Sequence, residues 1–382
     1  MKRLLILGCT GSIGTTTLDA LRANPGLCEV AGLSCNSNFS VLPALAKEFG
    51  CDCVASPAAT DAFRFQAEKA GLRVFTDVGE LIRGSGSDLV LNGISGAAGL
   101  TATYTALNQG IDVALANKES MVMAGEILNN LAGQRGCRII PVDSEHSAIY
   151  ELVKAFGFQS IDKLIITASG GPFRNLSRSE LKGITVERAC GHPTWKMGRK
   201  ISIDSATMAN KGLEIIEAGR LFNVASQRIQ AVIHPQSCVH SMVSLKNGQT
   251  YAQMSQPTMT FPILNAIFDG FGMEADRQFS PALFDVLSEV TLEFRRIDTE
   301  RFPLVRCAYD CLNNGSWYPI VFNAADEIAV QACVDGRIGF EEIDTSVVRI
   351  LERASFTGTP ETVEDVLMYD SLARELSRSV IC

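Results

Sequence analysis

Lys2-Arg3-Leu4-Leu5-Ile6-Leu7-Gly8-Cys9-Thr10-Gly11-Ser12-Ile13-Gly14 is a short, continuous apolar run that ends on a glycine-rich turn, and Thr16–Arg22 then takes up helical apolar spacing. The order is strand, turn, helix. Glycines in that place let the backbone approach a pyrophosphate, and the helix N-terminus favours its charge; a plain tight turn is the alternative. The pattern recurs downstream. Glu29–Leu33 reads as a strand, Val41–Phe49 as a helix, Asp88–Leu91 as a strand before Asn92-Gly93, and Ile111–Ala116 as another. Short strands alternating with helices imply an α/β fold with a parallel, doubly wound, Rossmann-like sheet.

At about 150 residues per domain, 382 residues argue for two or three domains. The first spans 1–142. After it, Lys163–Ala168 reads as a strand ending in Ser169-Gly170-Gly171-Pro172, and Val232–Leu245 as extended chain, so 143–268 is expected to be a central α+β catalytic domain. Within it, residues 190–199 carry a tryptophan and a methionine between glycine and proline without a period, which suits a mobile lid loop. Asp269-Gly270-Phe271-Gly272 marks a break into a linker, 269–300. From Phe302 the spacing is helical, with Leu304, Ala308 and Cys311 on one face, Asn323–Val334 as a second helix and more helix after Pro360. A C-terminal helical bundle, 301–382, closes the chain.

Composition narrows the function classes. An apolar fraction of 46% and a charged fraction of 20% are those of an ordinary globular protein. Lys plus Arg total 34 against 42 Asp plus Glu, a net charge of -8 with no basic run, so no nucleic-acid partner is expected. The 12 cysteines are scattered without metal-binding spacing and read as free thiols. Met1–Leu7 imitates an export leader for a few residues, but Gly8–Gly14 interrupts it, and no apolar stretch reaches the roughly 18 residues of a membrane span. The expectation is a soluble, cytoplasmic protein without a membrane partner.

Four segments could carry chemistry. At the end of the second strand, where an NAD site keeps an acid for the ribose hydroxyls, stands Ser34-Cys35-Asn36-Ser37-Asn38; without a carboxylate to repel a 2′-phosphate, NADP is favoured over NAD. Asp143-Ser144-Glu145 follows the strand Arg138–Val142. If the chain stays extended, both carboxylates share a face and can point at one hard cation, Mg²⁺ or Mn²⁺; if it does not, Asp143 or Ser144 caps the next helix. On a helix starting near Ser205, Asn210 and Glu214 would share a face beside Lys211, which suits an anionic group close to a metal; an exposed helix with a weak Lys211–Glu214 surface pair is the alternative. Asn117-Lys118-Glu119 lies at the carboxyl end of a sheet strand, where Lys118 can polarise a substrate or Asn117 can simply cap a helix. His192, in the lid, is a candidate donor or a structural histidine, and His146, His234 and His240 read as structural.

These segments resemble the 1-deoxy-D-xylulose 5-phosphate reductoisomerase family. The likeness runs through most of the chain: the Gly8–Gly14 turn, Asn117–Ser120, Asp143–Ile149, Ser169–Arg174, the 192–198 loop, Ser205–Glu214 and Asn323–Glu327. It implies a homodimer that uses NADPH and a divalent cation to convert a sugar phosphate, 1-deoxy-D-xylulose 5-phosphate, into 2-C-methyl-D-erythritol 4-phosphate for non-mevalonate isoprenoid synthesis. It implies Asp143, Glu145 and Glu214 as metal ligands and, with Lys118, as the catalytic set. Ser144, Ser169, His192, Trp195, Ser205, Asn210 and Lys211 would join Lys118, Glu145 and Glu214 in binding substrate and its phosphate. Thr10, Gly11, Ser12, Ile13, Asn36, Ser37, Asn38, Asn117, Glu119 and Gly198 would bind the cofactor. Cys9 departs from the family's usual small hydroxyl residue in the turn, Asn36-Ser37 stands where glycine with lysine or serine is usual, and Gln256–Pro262 lacks the usual acid and arginine. Outside this family, the same fold would fit a metal-independent NADP oxidoreductase of the semialdehyde or homoserine dehydrogenase type, or a non-catalytic NADPH-binding regulator.

Overall fold

A computed structural model of the protein describes residues 1–191, 195, 197–273, 284–285 and 291–381. Its first unit comprises Met1–Ser120, Leu128–Ser147 and the helix that begins at Thr260. Seven strands form its sheet: β1 Arg3–Leu7, β2 Glu29–Ser34, β3 Cys53–Ala55, β4 Arg73–Phe75, β5 Leu89–Asn92, β6 Asp112–Leu115 and β7 Ile139–Pro141. They pair in parallel in the order β4-β3-β2-β1-β5-β6-β7. The strand order turns back on itself at β1, so the carboxyl ends of β1 and β5 flank a topological switch point, the place where ligands of such sheets bind. Leu4–Leu7 are fully buried because helices cover both faces, which is why β1 reads as an unbroken apolar run. The crossover helices are α1 Ser12–Ala23, α2 Leu42–Phe49, α3 Asp61–Lys69, α4 Val78–Ser85, α5 Gly99–Asn108 and α6 Lys118–Arg135, and α7 Ser144–Phe156 leaves β7.

The second unit comprises Met121–Ile127, Ala148–Thr258 and the C-terminal helices. Its mixed sheet runs β11-β10-β8-β9-β12, with β8 Ile161–Ala168, β9 Ile229–Ile233, β10 Val239–Leu245, β11 Thr250–Met254 and β12 Arg295–Arg296. Among the described residues of this sheet, only β8 and β9 pair in parallel. The stretch expected to be continuously extended, Val232–Leu245, is two strands in one sheet separated by a turn in which Ser237 takes φ +53°. One core joins this sheet to the helices beside it, through Ile149, Leu164, Ile166, Ile215, Ile229 and Val305 among others. Four of the remaining helices, α8 Val186–Ala189, α9 Arg199–Thr207, α10 Ala209–Leu221 and α11 Thr260–Phe271, precede a C-terminal group of α12 Pro303–Asn314, α13 Tyr318–Val334, α14 Ile343–Arg353 and α15 Val363–Ile381. The bundle places α13 against α14 and α15, and α10 packs on α12.

Two expectations about organisation change. Helix α11 continues through Asp269 and Gly270 and ends at Gly272, which takes φ +64°. It packs on α1, β5, β6 and β7 through buried Ile263, Leu264, Ala266 and Ile267, so residues 260–268 belong with the first sheet rather than with a central domain. Gly270 is part of that fit, since a Cβ there would lie 2.7 Å from a Leu89 methyl. The helix expected to start near Ser205 is two helices. Met208, at φ +64°, ends α9 and begins α10.

Candidate active site

The turn after β1 admits only glycine at its ends. Gly8 has φ +76°, and a Cβ on it would sit 2.7 Å from the Gly93 carbonyl oxygen. One on Gly14 would lie 2.3 Å from the Gly8 oxygen and 2.4 Å from Cys9 Cα. Turn, helix and the exit of β5 are thus packed at backbone contact across the switch point. Gly11 caps α1 without a side-chain bond, and the first turn holds no acid. Thr10, Gly11, Ser12 and Ile13 therefore frame a helix start whose amides can take an anion. Beyond β2, Asn36, Ser37 and Asn38 are exposed, and the Ser56 hydroxyl steadies their loop by donating to the Asn36 carbonyl at 2.6 Å.

Asn117 caps α6, its Oδ1 accepting from the Ser120 amide at 3.0 Å. Its Nδ2 donates to the Ile94 and Gly96 carbonyls, each at 2.8 Å, and to Glu119 Oε2 at 2.9 Å. The side chain is committed to shaping the loop after β5, so capping and site-building are one job here. Next to it, Lys118 Nζ lies 2.5 Å from Asp143 Oδ2, with both side chains largely buried.

β7 stops at Pro141, and the chain turns directly into α7, whose Ser147 amide donates to the Asp143 carbonyl at 2.8 Å. Glu145 is therefore in the first helical turn. The premise of an extended run through Asp143-Ser144-Glu145 fails; a tight strand-to-helix turn places the two carboxylates instead. The Ser144 hydroxyl donates to the Glu145 carboxylate.

On α10, Lys211 and Glu214 are 3% and 1% exposed, which disposes of the surface-pair alternative. Lys211 Nζ donates to Glu214 Oε2 and to the Thr167 carbonyl at the end of β8, and Asn210 Nδ2 donates to Glu214 Oε1. Ser205 belongs to α9, across the Met208 break, yet it is close to the loop after β8. Gly171, at φ +67°, lies so near that a Cβ on it would be 2.5 Å from the Ser205 carbonyl oxygen, and its amide donates to Ser169 Oγ at 3.2 Å. Ser169 and Ser205 thus sit on touching segments. Trp195 meets the His240 ring edge-on at 6.2 Å, and Gly198 caps α9. His192 lies outside the described residues.

Asp143 and Glu145 stand two positions apart at the turn from β7 into α7 of the first unit, and Glu214 stands on α10 of the second. Carboxylates are hard oxygen donors that fit Mg²⁺ or Mn²⁺, which bind them at about 2.1 Å; in the first unit Lys118 offsets charge at Asp143, and in the second Lys211 offsets charge at Glu214. Sequence reasoning missed Glu217, which is 1% exposed on α10. Glu217 lies one turn beyond Glu214 on the same helix, and that spacing was the available signal. It also missed Lys200, which bridges the buried carboxylates of Asp204 at 2.6 Å and Asp326 at 2.8 Å and so ties α9 to α13.

The chain matches three family models. Residues 4–125 match one described as 1-deoxy-D-xylulose 5-phosphate reductoisomerase, 139–222 match its C-terminal domain, and 254–376 match a DXP reductoisomerase C-terminal domain. It is 42% identical over 381 residues to the 1-deoxy-D-xylulose 5-phosphate reductoisomerase of Treponema denticola, covering 98% of this chain and 96% of that one. With the Chlorobaculum tepidum protein of the same name it shares 40% over 386 residues and the full length of both. Among solved structures, a DOX-P reductoisomerase in complex with NADPH, fosmidomycin and magnesium superposes with a TM-score of 0.91 at 33% identity, covering 100% of this chain and 98% of that one. The Zymomonas mobilis enzyme in complex with NADPH gives 0.89 at 36% identity, with 100% and 99% covered.

Proposed function

The chain belongs to the 1-deoxy-D-xylulose 5-phosphate reductoisomerase family, and on that footing we propose how its residues divide the work of converting 1-deoxy-D-xylulose 5-phosphate into 2-C-methyl-D-erythritol 4-phosphate. When bound, the divalent cation supplies Lewis-acid polarisation of the substrate's carbonyl and neighbouring hydroxyl, and NADPH supplies the hydride. Asp143, Glu145 and Glu214 hold the cation. The observation that carries this assignment is the built setting of Glu214, 1% exposed with Asn210 and Lys211 bonded to its carboxylate, in a chain that belongs to a family whose solved structures hold magnesium.

Lys118, beside Asp143, directs its ammonium at the substrate oxygen that gathers charge, and Ser144 orients the neighbouring hydroxyl. Ser169, Ser205, Asn210 and Lys211 hold the phosphate, whose binding energy orients the carbons that rearrange. Trp195 covers the substrate and excludes water. The amides of the Gly8–Gly14 turn hold the cofactor's pyrophosphate, and Asn36, Ser37 and Asn38 its adenosine end. Asn117, Glu119 and Gly198 shape the nicotinamide end, Asn117 through the loop it pins. The atoms balance: rearrangement conserves the formula, and reduction adds one hydride and one proton.

Residues 1–142, joined by α11, serve as the cofactor-binding part, the chain from 143 to the start of α11 as the catalytic part, 301–382 as a helical support, and the segment between as the linker. The protein works as a homodimer; β11 ends its sheet as an edge strand that a second copy can cover. It works in the cytoplasm, a reading supported by cysteines that are all free among the described residues. Among the described residues no helix is long and apolar enough to cross a membrane.

The test is NADPH oxidation followed by absorbance with 1-deoxy-D-xylulose 5-phosphate, with and without EDTA. Oxidation that needs this substrate and stops with chelator is expected. Oxidation indifferent to chelator would turn the assignment toward a metal-independent reductase.

A further inference from the structure

β5 ends on Asn92, and the loop that follows it, residues 93–98, opens beside the glycine-rich turn, its Gly93 amide donating to the Leu7 carbonyl at 3.0 Å. Two asparagines hold this loop from opposite sides. Asn92 Oδ1 accepts from the Ile94 amide at 3.1 Å, and Asn117 Nδ2 donates to the Ile94 and Gly96 carbonyls. A line of hydroxyls runs between them. Asn92 Nδ2 donates to Thr103 Oγ1 at 2.9 Å, Thr103 Oγ1 lies 3.1 Å from Ser120 Oγ, and the Ser120 hydroxyl donates to Asn117 Oδ1. Asn92, Thr103 and Ser120 are wholly buried and Asn117 nearly so.

The protons give this line one direction. Asn117 Oδ1 carries no proton, so Ser120 spends its own there and accepts from Thr103. The single Thr103 proton is thereby used, and Thr103 Oγ1 accepts from Asn92. Asn92 is oriented in turn by the Ile94 amide on its oxygen, and its Nδ2 also donates to the Gly99 carbonyl at 2.9 Å. Four side chains on β5, α5 and α6 thus fix one another, and each depends on the next. The backbone around them is equally close, since a Cβ on Gly99 would lie 2.4 Å from Asn117 Cγ.

We propose that Asn92, Thr103 and Ser120 are positioning residues for hydride transfer: without touching the cofactor, they hold loop 93–98 in the shape that receives the nicotinamide end of NADPH. The proposal rests on the assignment of the glycine-rich turn to the pyrophosphate and of Asn36, Ser37 and Asn38 to the adenosine end. A dinucleotide straddles the switch point of such a sheet. With its adenosine end beyond β2 and its pyrophosphate at the start of α1, its other half lies on the β5 side of β1, where loop 93–98 stands. A satisfied polar line sealed from water holds a loop to one shape, and the seat of a hydride donor needs one shape.

Three variants of the full-length protein test this. Thr103→Val removes the central hydroxyl, Thr103→Ser keeps it, and Ser120→Ala is the gentler break, because the Thr103 proton can turn to the Gly99 carbonyl at 3.2 Å. Binding of NADPH is measured by fluorescence, and binding of 2′,5′-ADP, which carries the adenosine and its 2′-phosphate without the nicotinamide, by calorimetry; thermal melts check folding. Thr103→Val and Ser120→Ala should each weaken NADPH about tenfold and leave 2′,5′-ADP within about twofold of wild type, with Thr103→Ser near wild type for both. If Thr103→Val does not fold, Ser120→Ala carries the test. NADPH affinity unchanged in Ser120→Ala, equal weakening of both ligands, a Ser120→Ala protein that does not fold, or a Thr103→Ser protein as impaired as Thr103→Val would each overturn the proposal, the middle two by leaving the line a structural role alone. Wild-type protein that takes up neither ligand would sink the cofactor assignment and the proposal with it, whereas wild-type binding with indifferent variants sinks the proposal alone.

Discussion

Glu214→Gln separates the proposed charge on the cation from everything else Glu214 does. The amide keeps the size of the side chain and one oxygen for Asn210 Nδ2, so the shape of α10 is preserved. What goes is one unit of negative charge among the three proposed ligands, and with it the counter-charge of Lys211, which is almost wholly buried and bonded to Glu214. At an effective dielectric of about 20 a unit charge pair some 4 Å apart is worth about 4 kcal/mol, and the amide's dipole recovers part of it. About 3 kcal/mol remains, or a cation affinity lower by roughly 10²-fold. The newly uncompensated Lys211 ammonium repels the cation and adds to the loss. NADPH oxidation is titrated with Mg²⁺, NADPH affinity is measured by fluorescence, and unfolding is followed by heat. The half-saturating Mg²⁺ concentration should rise by about two orders of magnitude with NADPH affinity within about twofold of wild type. The Tm should fall, because a buried ammonium has lost its carboxylate. An unshifted Mg²⁺ titration with wild-type turnover would refute the ligand role of Glu214.

Gly14→Ala forces a methyl into the 2.3 Å gap to the Gly8 carbonyl, and a cost of about 1–3 kcal/mol with weakened NADPH binding should appear in thermal melts and cofactor titrations. Lys200→Met leaves the buried carboxylates of Asp204 and Asp326 without their shared cation, and chemical denaturation should show a loss of about 3–5 kcal/mol. Burial pushes Tyr309 up from 10.0 to about 12, while its hydroxyl donates to the Ile229 carbonyl at 3.2 Å. Because the folded state holds this proton more tightly, its stabilisation is complete below pH 10 and disappears as pH rises to about 12. Tyr309→Phe should remove about 2 kcal/mol of alkaline destabilisation, read as a flatter Tm-against-pH curve over that window. A Tyr309→Phe curve as steep as wild type would assign the alkaline limb to the buried thiols instead.

What the sequence made legible follows from how local each signal is. Lys2–Leu7 could be read because a strand buried on both faces is apolar at every position, and Gly8 and Gly14 because their spacing answers to backbone contact. Asn210, Lys211 and Glu214 do share a helix, but it begins at Ala209 rather than near Ser205. Nothing in Ser205–Glu214 warns of a break, since Met208 is an ordinary helix former held left-handed by its surroundings. Asp143 and Glu145 were paired for a reason that does not hold, because the strand ends at Pro141, one residue before its apolar run ends, and the chain turns into a helix at Ser144. Helix α11 was assigned to the wrong part because its strongly apolar face says only that it is buried, not which sheet covers it. Glu217 and Lys200 went unread for a related reason: a buried charge has no sequence signature apart from its partners, and Asp326, which Lys200 meets, lies far away in the chain.

The left-handed residue between α9 and α10 makes Met208, a side chain with no assigned ligand, the elbow of the proposed phosphate pocket. An L-residue other than glycine pays about 1–2 kcal/mol to hold that conformation, so the joint is a spring kept cocked by the packing of the Met208 side chain in the core. Glycine at this position would release the tension and let the Ser205 and Lys211 arms swing apart. The protein would then gain tolerance in its backbone and, if the proposed phosphate pocket is right, lose grip on its substrate, a trade in which the weaker joint is the more comfortable one.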